Sequence, residues 1–336
     1  MSSVKTPADL LSAVPFLIGY HPENSLVLIS VKDDALAMAM RVDFPEAELK
    51  DGASELLANH LVRDKAESAL IVGYVNSDNT NAEAILNQVD DQIRFTNINV
   101  REVMLVKDNR WRSLICNDLT CCPENGSELP DFASAQITAE QVAQGKILPF
   151  HDNAQLVASL ASFEVSTEPK FMDQILFLIN ENTITEQSMK PDFVRANVPN
   201  LLVIKEMFAK GQPIDNDLKA QVIAVMQDIQ ARDFALGCFN DDEAELALAL
   251  YTDLYKTAPK DFAYPLATLA SAFAYETGNG ALAHRLLDKA IEVEPEYSLA
   301  RLLRRVFSSG WPVEGFSQLR KELHPRVTAT IFGSAE

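Results

Sequence analysis

The feature that most constrains this chain is a change in the period of its apolar residues near residue 150. Before that point, short apolar runs typical of strands alternate with segments in which apolar residues recur every three or four positions. After it, segments of helical period follow one another, many with acidic starts and Gly or Pro at their ends. The pattern predicts an α/β domain with a mixed sheet over residues 1–150, an all-α domain over 151–325 and a flexible tail over 326–336.

Within the first domain, turn residues separate the predicted elements. Lys32, Asp33 and Asp34 interrupt two apolar runs, which predicts a hairpin, and Asp108-Asn109 predicts a second one. Helical periods lie between the hairpins. The predicted order is a hairpin over 25–44, a helix over 46–62, a strand over 68–75, a helix over 81–95, and a hairpin over 100–116.

The second domain contains a weak internal repeat. Four residues recur 36 positions later at the same offsets, with a small residue first and a proline last: Ala247, Tyr251, Leu254 and Pro259 become Ala283, Leu287, Ala290 and Pro295. Small residues allow two helices to approach closely, and proline ends a helix, as in tetratricopeptide-like helix pairs. We therefore predict that the two segments are equivalent helices in adjacent pairs.

Charge and apolar content exclude several classes of protein. The 336 residues carry a net charge of -19, so binding to phosphate backbones or anionic lipid surfaces is not expected. No apolar run reaches the length of a membrane span, and the amino end lacks the continuous apolar core of a signal peptide. We expect a cytoplasmic protein that does not bind nucleic acid or membranes.

The first candidate site is the polar segment "GYHPENS", residues 19–25, directly before the first strand. Pro15, Gly19 and Pro22 predict a shaped loop here, in a place where α/β proteins often hold ligands. As a catalytic arrangement, His21 would act as a base oriented by Asp43, with the Ser25 hydroxyl in reach and Arg41 on the same strand face as Asp43. The alternative is an Arg41–Asp43 surface pair and a turn-capping His21.

The second candidate site is the thiol segment "CNDLTCC", which holds Cys116, Cys121 and Cys122. One interpretation is a zinc site completed by His21 or His151, although adjacent cysteines rarely share one ion. Another is a reactive thiolate at Cys121 or Cys122, activated by a nearby cation or by His21. The third is cysteines that only pack as small apolar groups. The sequence leaves all three open.

Several motifs together resemble one family, the mostly actinobacterial proteins grouped as domain of unknown function 4192. They are "PFLIGYHPENSLVLI", "RVDFP" (41–45), "RWRSLIC" (110–116), "CCPENG" (121–126) and "ALAHRLLDKAIEVEPEYSLARLL" (281–303). Arg112 and Glu124 depart from the pattern, which usually has a second aromatic residue and a proline there. The resemblance covers nearly the whole chain and implies a bacterial protein, but it implies no activity and no catalytic residue.

Two functions are compatible with these observations. The preferred one is a small-molecule-binding or enzymatic α/β domain that uses the polar loop and the cysteine-rich loop. The alternative is a protein that performs no chemistry and docks a partner polypeptide through its helical domain. The first predicts that the polar loops converge on one pocket, and the second predicts a wide groove among the C-terminal helices.

Overall fold

The structure, a computed structural model, describes residues 4–47, 49, 52–120, 122–144, 146, 148–160, 169–185 and 187–333. Its contacts divide the chain into two units. The first comprises the residues up to Leu156 with Gly278–Ala281 and Ser309–Trp311, and the second holds the rest. Contacts do not show that a unit folds by itself, so the predicted domain boundary at residue 150 stays a prediction.

The first unit is built on a six-stranded mixed sheet, which confirms the predicted fold class. Its strands, in chain order, are β1 (Ser25–Lys32), β2 (Ala35–Asp43), β3 (Ser68–Val75), β4 (Asn99–Lys107), β5 (Arg110–Ser113) and β6 (Ser127–Glu128). Their order in the sheet is β2-β1-β3-β4-β5-β6. β3 and β4 are parallel, and the other neighbouring pairs are antiparallel.

Both predicted hairpins form through turns that demand positive φ. Asp33 and Asp34 have φ of 49° and 57°, and Asp108 and Asn109 have φ of 53° and 58°. Two-residue hairpin turns with positive φ at both central positions match the natural twist of paired strands, and Asp and Asn tolerate this conformation best after glycine. The dipeptides therefore fix where the chain reverses.

The helices of the first unit lie between and beside these strands: α1 (Pro7–Ile18), α2 (Ala53–Arg63), α3 (Ala82–Phe95) and α4 (Gln136–Ala143), followed by α5 (Asn153–Ser159). One sheet face, with Leu28 and Ile71, packs in a single core with Leu61 of α2 and Ile85 of α3. The predicted helix over 46–62 begins later than expected, at Ala53, after a glycine with φ of 88°.

α1 corrects the prediction that Pro15 belongs to a loop. Thr6 and Asp9 form a capping box at its start, and Pro15 lies inside the helix, which continues to Ile18. An interior proline costs a backbone hydrogen bond. The buried side chains of Leu10 and Val14 favour the helix despite this cost.

The second unit is helical, as predicted, apart from a short hairpin of β7 (Thr183–Thr185) and β8 (Ser188–Met189). The hairpin was not predicted. Asp228 explains part of it: its Oδ2 accepts a hydrogen bond from Met189 N at 2.9 Å in the protein interior. The helices are α6 (Pro169–Asn182), α7 (Pro191–Asn197), α8 (Pro199–Ala209), α9 (Asn216–Val225), α10 (Ile229–Gly237), α11 (Ala244–Thr257), α12 (Tyr264–Glu276), α13 (Gly280–Val293), α14 (Ser298–Ser308) and α15 (Val313–Phe332).

The repeat segments form α11 and α13. Ala247 and Ala283, the small residues that open the two sets, are both fully buried. Pro259 and Pro295 each follow the end of their helix by two residues. The matching burial agrees with the repeat pattern, whereas tetratricopeptide-like pairing of these helices stays a prediction.

The segment expected to be a flexible tail, 326–336, overlaps the last helix, and its flexibility stays a prediction. α15 continues through Pro325 to Phe332, and residues 334–336 lie outside the described part of the chain. Ile331 is buried, and its carbonyl oxygen accepts a hydrogen bond from Arg195 Nε at 3.2 Å. Proline on its own favours the end of a helix. The packing of Ile331 therefore stabilises the helix beyond Pro325.

A buried ion pair connects α15 to α12 inside the second unit. Arg320 Nε and Nη2 donate to the two carboxylate oxygens of Glu276 at 2.5 and 2.8 Å, and both side chains are almost fully buried. Arg320 Nη1 also donates to the carbonyl oxygen of Phe239 at 2.6 Å. Each charge is thus satisfied by its partner.

We predict that Glu276→Gln lowers the free energy of unfolding by about 3 kcal/mol, because it removes the close counter-charge of the buried Arg320 and leaves only Asp241, 3.9 Å away and largely exposed. Urea denaturation of the purified variant measures this change. The matched control is Glu292→Gln, which breaks a solvent-exposed pair with Lys289 and should leave the midpoint unchanged. Equal effects of both variants would contradict the prediction.

Candidate functional site

The candidate site lies where several chain segments end at one edge of the first unit's sheet. β3 and β4 are parallel and end together at Val75 and Lys107. β1 is antiparallel to β3, so its first residue, Ser25, lies opposite Tyr74 at the same edge. Ligands of α/β proteins commonly bind beyond the carboxyl ends of parallel strands. The polar segment 19–25 therefore leads into the place where a site is expected.

A second loop joins the polar segment at this edge. Tyr20 and Phe150 form an isolated parallel bridge. His21 N donates to the carbonyl oxygen of Phe150 at 3.0 Å, and Phe150 N donates to that of Gly19 at 2.9 Å. This bridge brings His151 to the same edge as His21, although 130 positions separate them in the sequence.

Together these segments enclose a cleft of about 1,090 Å³. α1 contributes Leu11, Ser12 and Pro15 to its lining, and the two loops contribute both histidines. The rest of the lining comes from the chain after β3, the turn between β4 and β5, and the segment that contains Phe132. We call this cavity the strand-end cleft.

His21 is held neutral in the strand-end cleft. Burial lowers the pKa of its imidazole below the ordinary value of 6.5, and the nearby His151 lowers it further. The imidazole packs edge-on against the ring of Phe132, with centroids 4.5 Å apart. His151 Nδ1 lies 3.2 Å from the Asp152 carboxylate. A neutral His21 can accept a hydrogen bond or a proton from a bound molecule.

Two hydroxyl groups of the lining are buried without a hydrogen-bond partner among the described residues. They are Ser12 Oγ, on α1, and Tyr74 Oη, on β3. Ser12 is only 2% exposed. Burial also raises the pKa of Tyr74 well above its ordinary value, so its hydroxyl stays protonated and can donate. Most buried hydroxyls in folded proteins are paired, so this combination in one cavity calls for a partner.

The charged side chains around the strand-end cleft are mostly acidic. Glu23, Asp78 and Asp108 line it, against Lys107 as the one ammonium group among its lining residues. The Lys107 ammonium donates to the carbonyl oxygen of Asn79 at 2.9 Å. The Asp108 carboxylate accepts a hydrogen bond from Ser77.

Three residues predicted for the site form a network beside the cleft. Ser25 is fully buried; its hydroxyl donates to the carbonyl oxygen of Glu23 at 2.6 Å and accepts from Arg41 Nε at 2.7 Å. Arg41 Nη1 also pairs with Asp43 at 2.5 Å. These contacts fit the alternative in which Arg41 and Asp43 form an ion pair. No hydrogen bond joins His21 to Asp43 or Ser25 among the described residues, and a catalytic role for the three together stays a hypothesis.

The cysteines follow a strand that leads away from His21. β5 begins at Arg110, opposite Lys107, and ends at Ser113, opposite Met104, so Cys116 follows the end remote from the cleft edge. Cys122 is buried, and its N–H donates to the carbonyl oxygen of Asp118. Cys121 lies outside the described residues.

The residues that the structure describes give no support to the metal hypothesis. Within the described ranges, no group of three or more His, Cys, Asp or Glu side chains is placed to hold a metal ion. Because Cys121 falls outside those ranges, the zinc and thiolate hypotheses for Cys116, Cys121, Cys122 and His21 stay untested predictions.

A smaller cavity of about 440 Å³ lies near the start of α3. Arg110 and Arg112 line it, but each already has a partner. Arg112 pairs with Glu83, and Arg110 donates to the carbonyl oxygens of Asn125 and Gly126. Arg110 therefore holds the loop before β6, and Arg112 pairs with α3. None of the described residues that line this cavity has a buried hydroxyl without a partner.

The model of one protein family, "Domain of unknown function (DUF4192)", matches residues 7–314, which is nearly the whole chain. The chain belongs to this family. The match confirms the resemblance carried by the sequence motifs, and it spans both units. The family description states no activity, so the site must be argued from its own chemistry.

Other comparisons add no named relative. No curated protein matches the chain, and no solved structure matches it. None of the helices in the described part of the chain combines the length and apolarity needed to cross a membrane.

In this family member, the sequence predicts some of the residues that line the strand-end cleft and misses others. The sequence predicts His21 as a site residue and His151 only as a metal ligand. Ser12 and Tyr74 were missed, since a lone serine in an apolar helix and a tyrosine in a buried strand both resemble ordinary core positions. The signal that could have pointed to Tyr74 is the polar run "NSDN" directly after its strand.

We predict that His151→Gln raises the pKa of His21, because it removes a neighbouring charge that disfavours imidazolium. The pKa should stay below 6.5, since burial is the larger cause. NMR titration of the imidazole proton resonances measures it. An unchanged or lower pKa of His21 would contradict the proximity of the two rings. His284→Gln, a change in the second unit, is the control and should leave His21 unaffected.

Proposed function

We propose that the first unit binds a small polar organic molecule in the strand-end cleft. The observation that carries this proposal is that Ser12 and Tyr74, two residues with buried and unpaired hydroxyls, line one cavity together with two histidines. A cavity of this size suits a small molecule, and ligand pockets typically combine apolar walls with a few converging polar groups.

The loss of folding stability caused by the two unpaired hydroxyls supports a binding role for the cleft. A buried polar group without a partner destabilises the folded state by about 1–3 kcal/mol. Apolar side chains of the same shape would avoid that cost at both positions. A bound molecule that pairs with the hydroxyls accounts for their presence, as expected where a site is retained at the expense of stability.

The apolar part of the lining gives the molecule a second kind of contact. Leu11, Val106, Leu129 and Phe132 line the strand-end cleft along with its polar groups. A ligand with both a carbon framework and hydrogen-bonding groups fits such a surface. His21, held neutral, can accept a hydrogen bond from that ligand, and the same group would serve as a base if the molecule reacts.

The alternative function, docking of a partner polypeptide by the helical unit, stays a prediction. Partner docking predicts a wide groove among the C-terminal helices. No contact among the described residues favours partner docking over ligand binding in the cleft.

Histidine NMR tests the proposed function directly. The chain has five histidines, and only His21 and His151 line the strand-end cleft. A panel of amines, polyols, nucleosides, carboxylates and phosphates is added at millimolar concentration to protein labelled in its imidazole rings. A binding compound should shift the signals of His21 and His151, assigned with His→Gln variants, while His60, His284 and His324 stay in place. If no compound moves either signal, the proposed function is wrong.

We predict that Tyr74→Phe and Ser12→Ala leave stability unchanged or raise it by up to about 1 kcal/mol, because each removes an unpaired buried hydroxyl. Each change should weaken the binding of a compound found in the panel by about five- to tenfold, the effect of one lost hydrogen bond. Thermal unfolding and histidine shift titrations measure the two effects.

Ser68→Ala is the matched control for this prediction. Ser68 Oγ is also buried and unpaired among the described residues, but it lies at the opposite end of β3 and does not line the cleft. It should show the same small effect on stability and no effect on binding. Stability losses of several kcal/mol in Tyr74→Phe would show that its hydroxyl has a structural partner.

A further inference from the structure

We propose that the ligand of the strand-end cleft is a small organic cation, an amine that carries a hydroxyl or similar group on an apolar framework. This inference rests on the proposed function and specifies its ligand. The ammonium group would lie at the acidic side of the cleft, and the polar group of the ligand would reach the buried hydroxyls of Ser12 and Tyr74.

The first argument is the charge of the cleft lining. Glu23, Asp78 and Asp108 contribute three carboxylates. The carboxylates of Glu23 and Asp78 have no hydrogen-bond or ion-pair partner in the described part of the chain, and both residues are exposed at the rim. An ammonium group at either carboxylate would gain a charge-assisted hydrogen bond without displacing a protein partner.

The cationic groups of the lining attract an anion less strongly than its carboxylates attract a cation. Lys107 is the one ammonium group among the described lining residues, and three carboxylates outnumber it. The imidazole of His21 is half-buried against Phe132 and lies near His151, and both features disfavour a positive charge on His21. The net charge of -19 adds a repulsive field for phosphates and carboxylates.

The third argument comes from the groups that remain. A tyrosine hydroxyl that stays protonated and a serine hydroxyl can each donate and accept a hydrogen bond. They therefore fit a neutral polar group, such as a hydroxyl, better than a second charge. Pro15, Leu129 and Phe132 supply an apolar wall for the framework between the two ends of the ligand.

Three probes that differ only in one terminal group test the inference. Tyramine, tyrosol and 4-hydroxyphenylacetate share a phenol ring and end in an ammonium, a hydroxyl and a carboxylate group. Binding is measured on the full chain from the NMR shifts of His21 and His151. We expect tyramine to bind about fivefold more tightly than tyrosol, the upper range for one solvent-exposed ion pair, and the carboxylate to bind weakest.

Variants identify the source of this preference. Glu23→Gln with Asp78→Asn should remove the advantage of tyramine over tyrosol and leave the binding of tyrosol unchanged. The control is Glu55→Gln with Asp91→Asn, which makes the same change in net charge at exposed positions of α2 and α3 that do not line the cleft. The control should keep most of the preference for tyramine.

The outcomes separate the inference from the proposed function. Equal binding of the three probes, or tightest binding of the carboxylate, overturns the cation while the strand-end cleft remains a ligand site. A preference for tyramine that persists in Glu23→Gln with Asp78→Asn also overturns it. If neither these probes nor the wider panel moves the signals of His21 and His151, the proposed function itself fails.

Discussion

The arrangement of the candidate site depends on one pairing, the parallel contact between β3 and β4 in a sheet that is otherwise antiparallel. A parallel pair requires a crossover, which α3 provides, and the crossover makes both strands end at the same edge. In a meander of hairpins, neighbouring strands would end at alternate edges. The parallel pair instead places Tyr74 and the turn after β4 side by side, next to the start of β1.

The sheet also separates the roles of its two faces. Residues of β3 alternate, so Ile71 and Gly73 face the core shared with α2 and α3, while Tyr74 points to the other face. A Cβ added at Gly73 would lie only 2.9 Å from the Phe44 ring, which shows how closely that core is filled. Tyr74, on the other face, is one of the residues that line the strand-end cleft.

The sequence predicted the elements well because local chemistry determined them. Asp33-Asp34 and Asp108-Asn109 suit the two hairpin turns. The spacing of apolar residues along the chain distinguished strands from helices. The prediction failed where packing outweighed local preference. Pro15 and Pro325 both lie inside helices whose neighbouring buried residues hold them, and a proline in a sequence does not reveal such contacts.

The site was only partly predictable for a related reason. His21 stood out because its loop is polar, but the bridge between Tyr20 and Phe150 is a contact between distant segments that no period or spacing indicates. The hydroxyls of Ser12 and Tyr74 matter because they lack partners. Partners are a property of the folded arrangement, so a sequence cannot show that they are missing.

The histidines described above also have a consequence for how the protein responds to acid. Burial lowers the pKa of four of the five, His21, His60, His284 and His324, below 6.5 in the folded chain. An unfolded chain would take up protons at these rings near pH 6.5, before the folded chain does. Their contribution to stability is therefore complete above that pH and is lost as the pH falls toward the lowered values. Because these histidines lie in both units, mild acidification would weaken the whole molecule through proton uptake by its unfolded form.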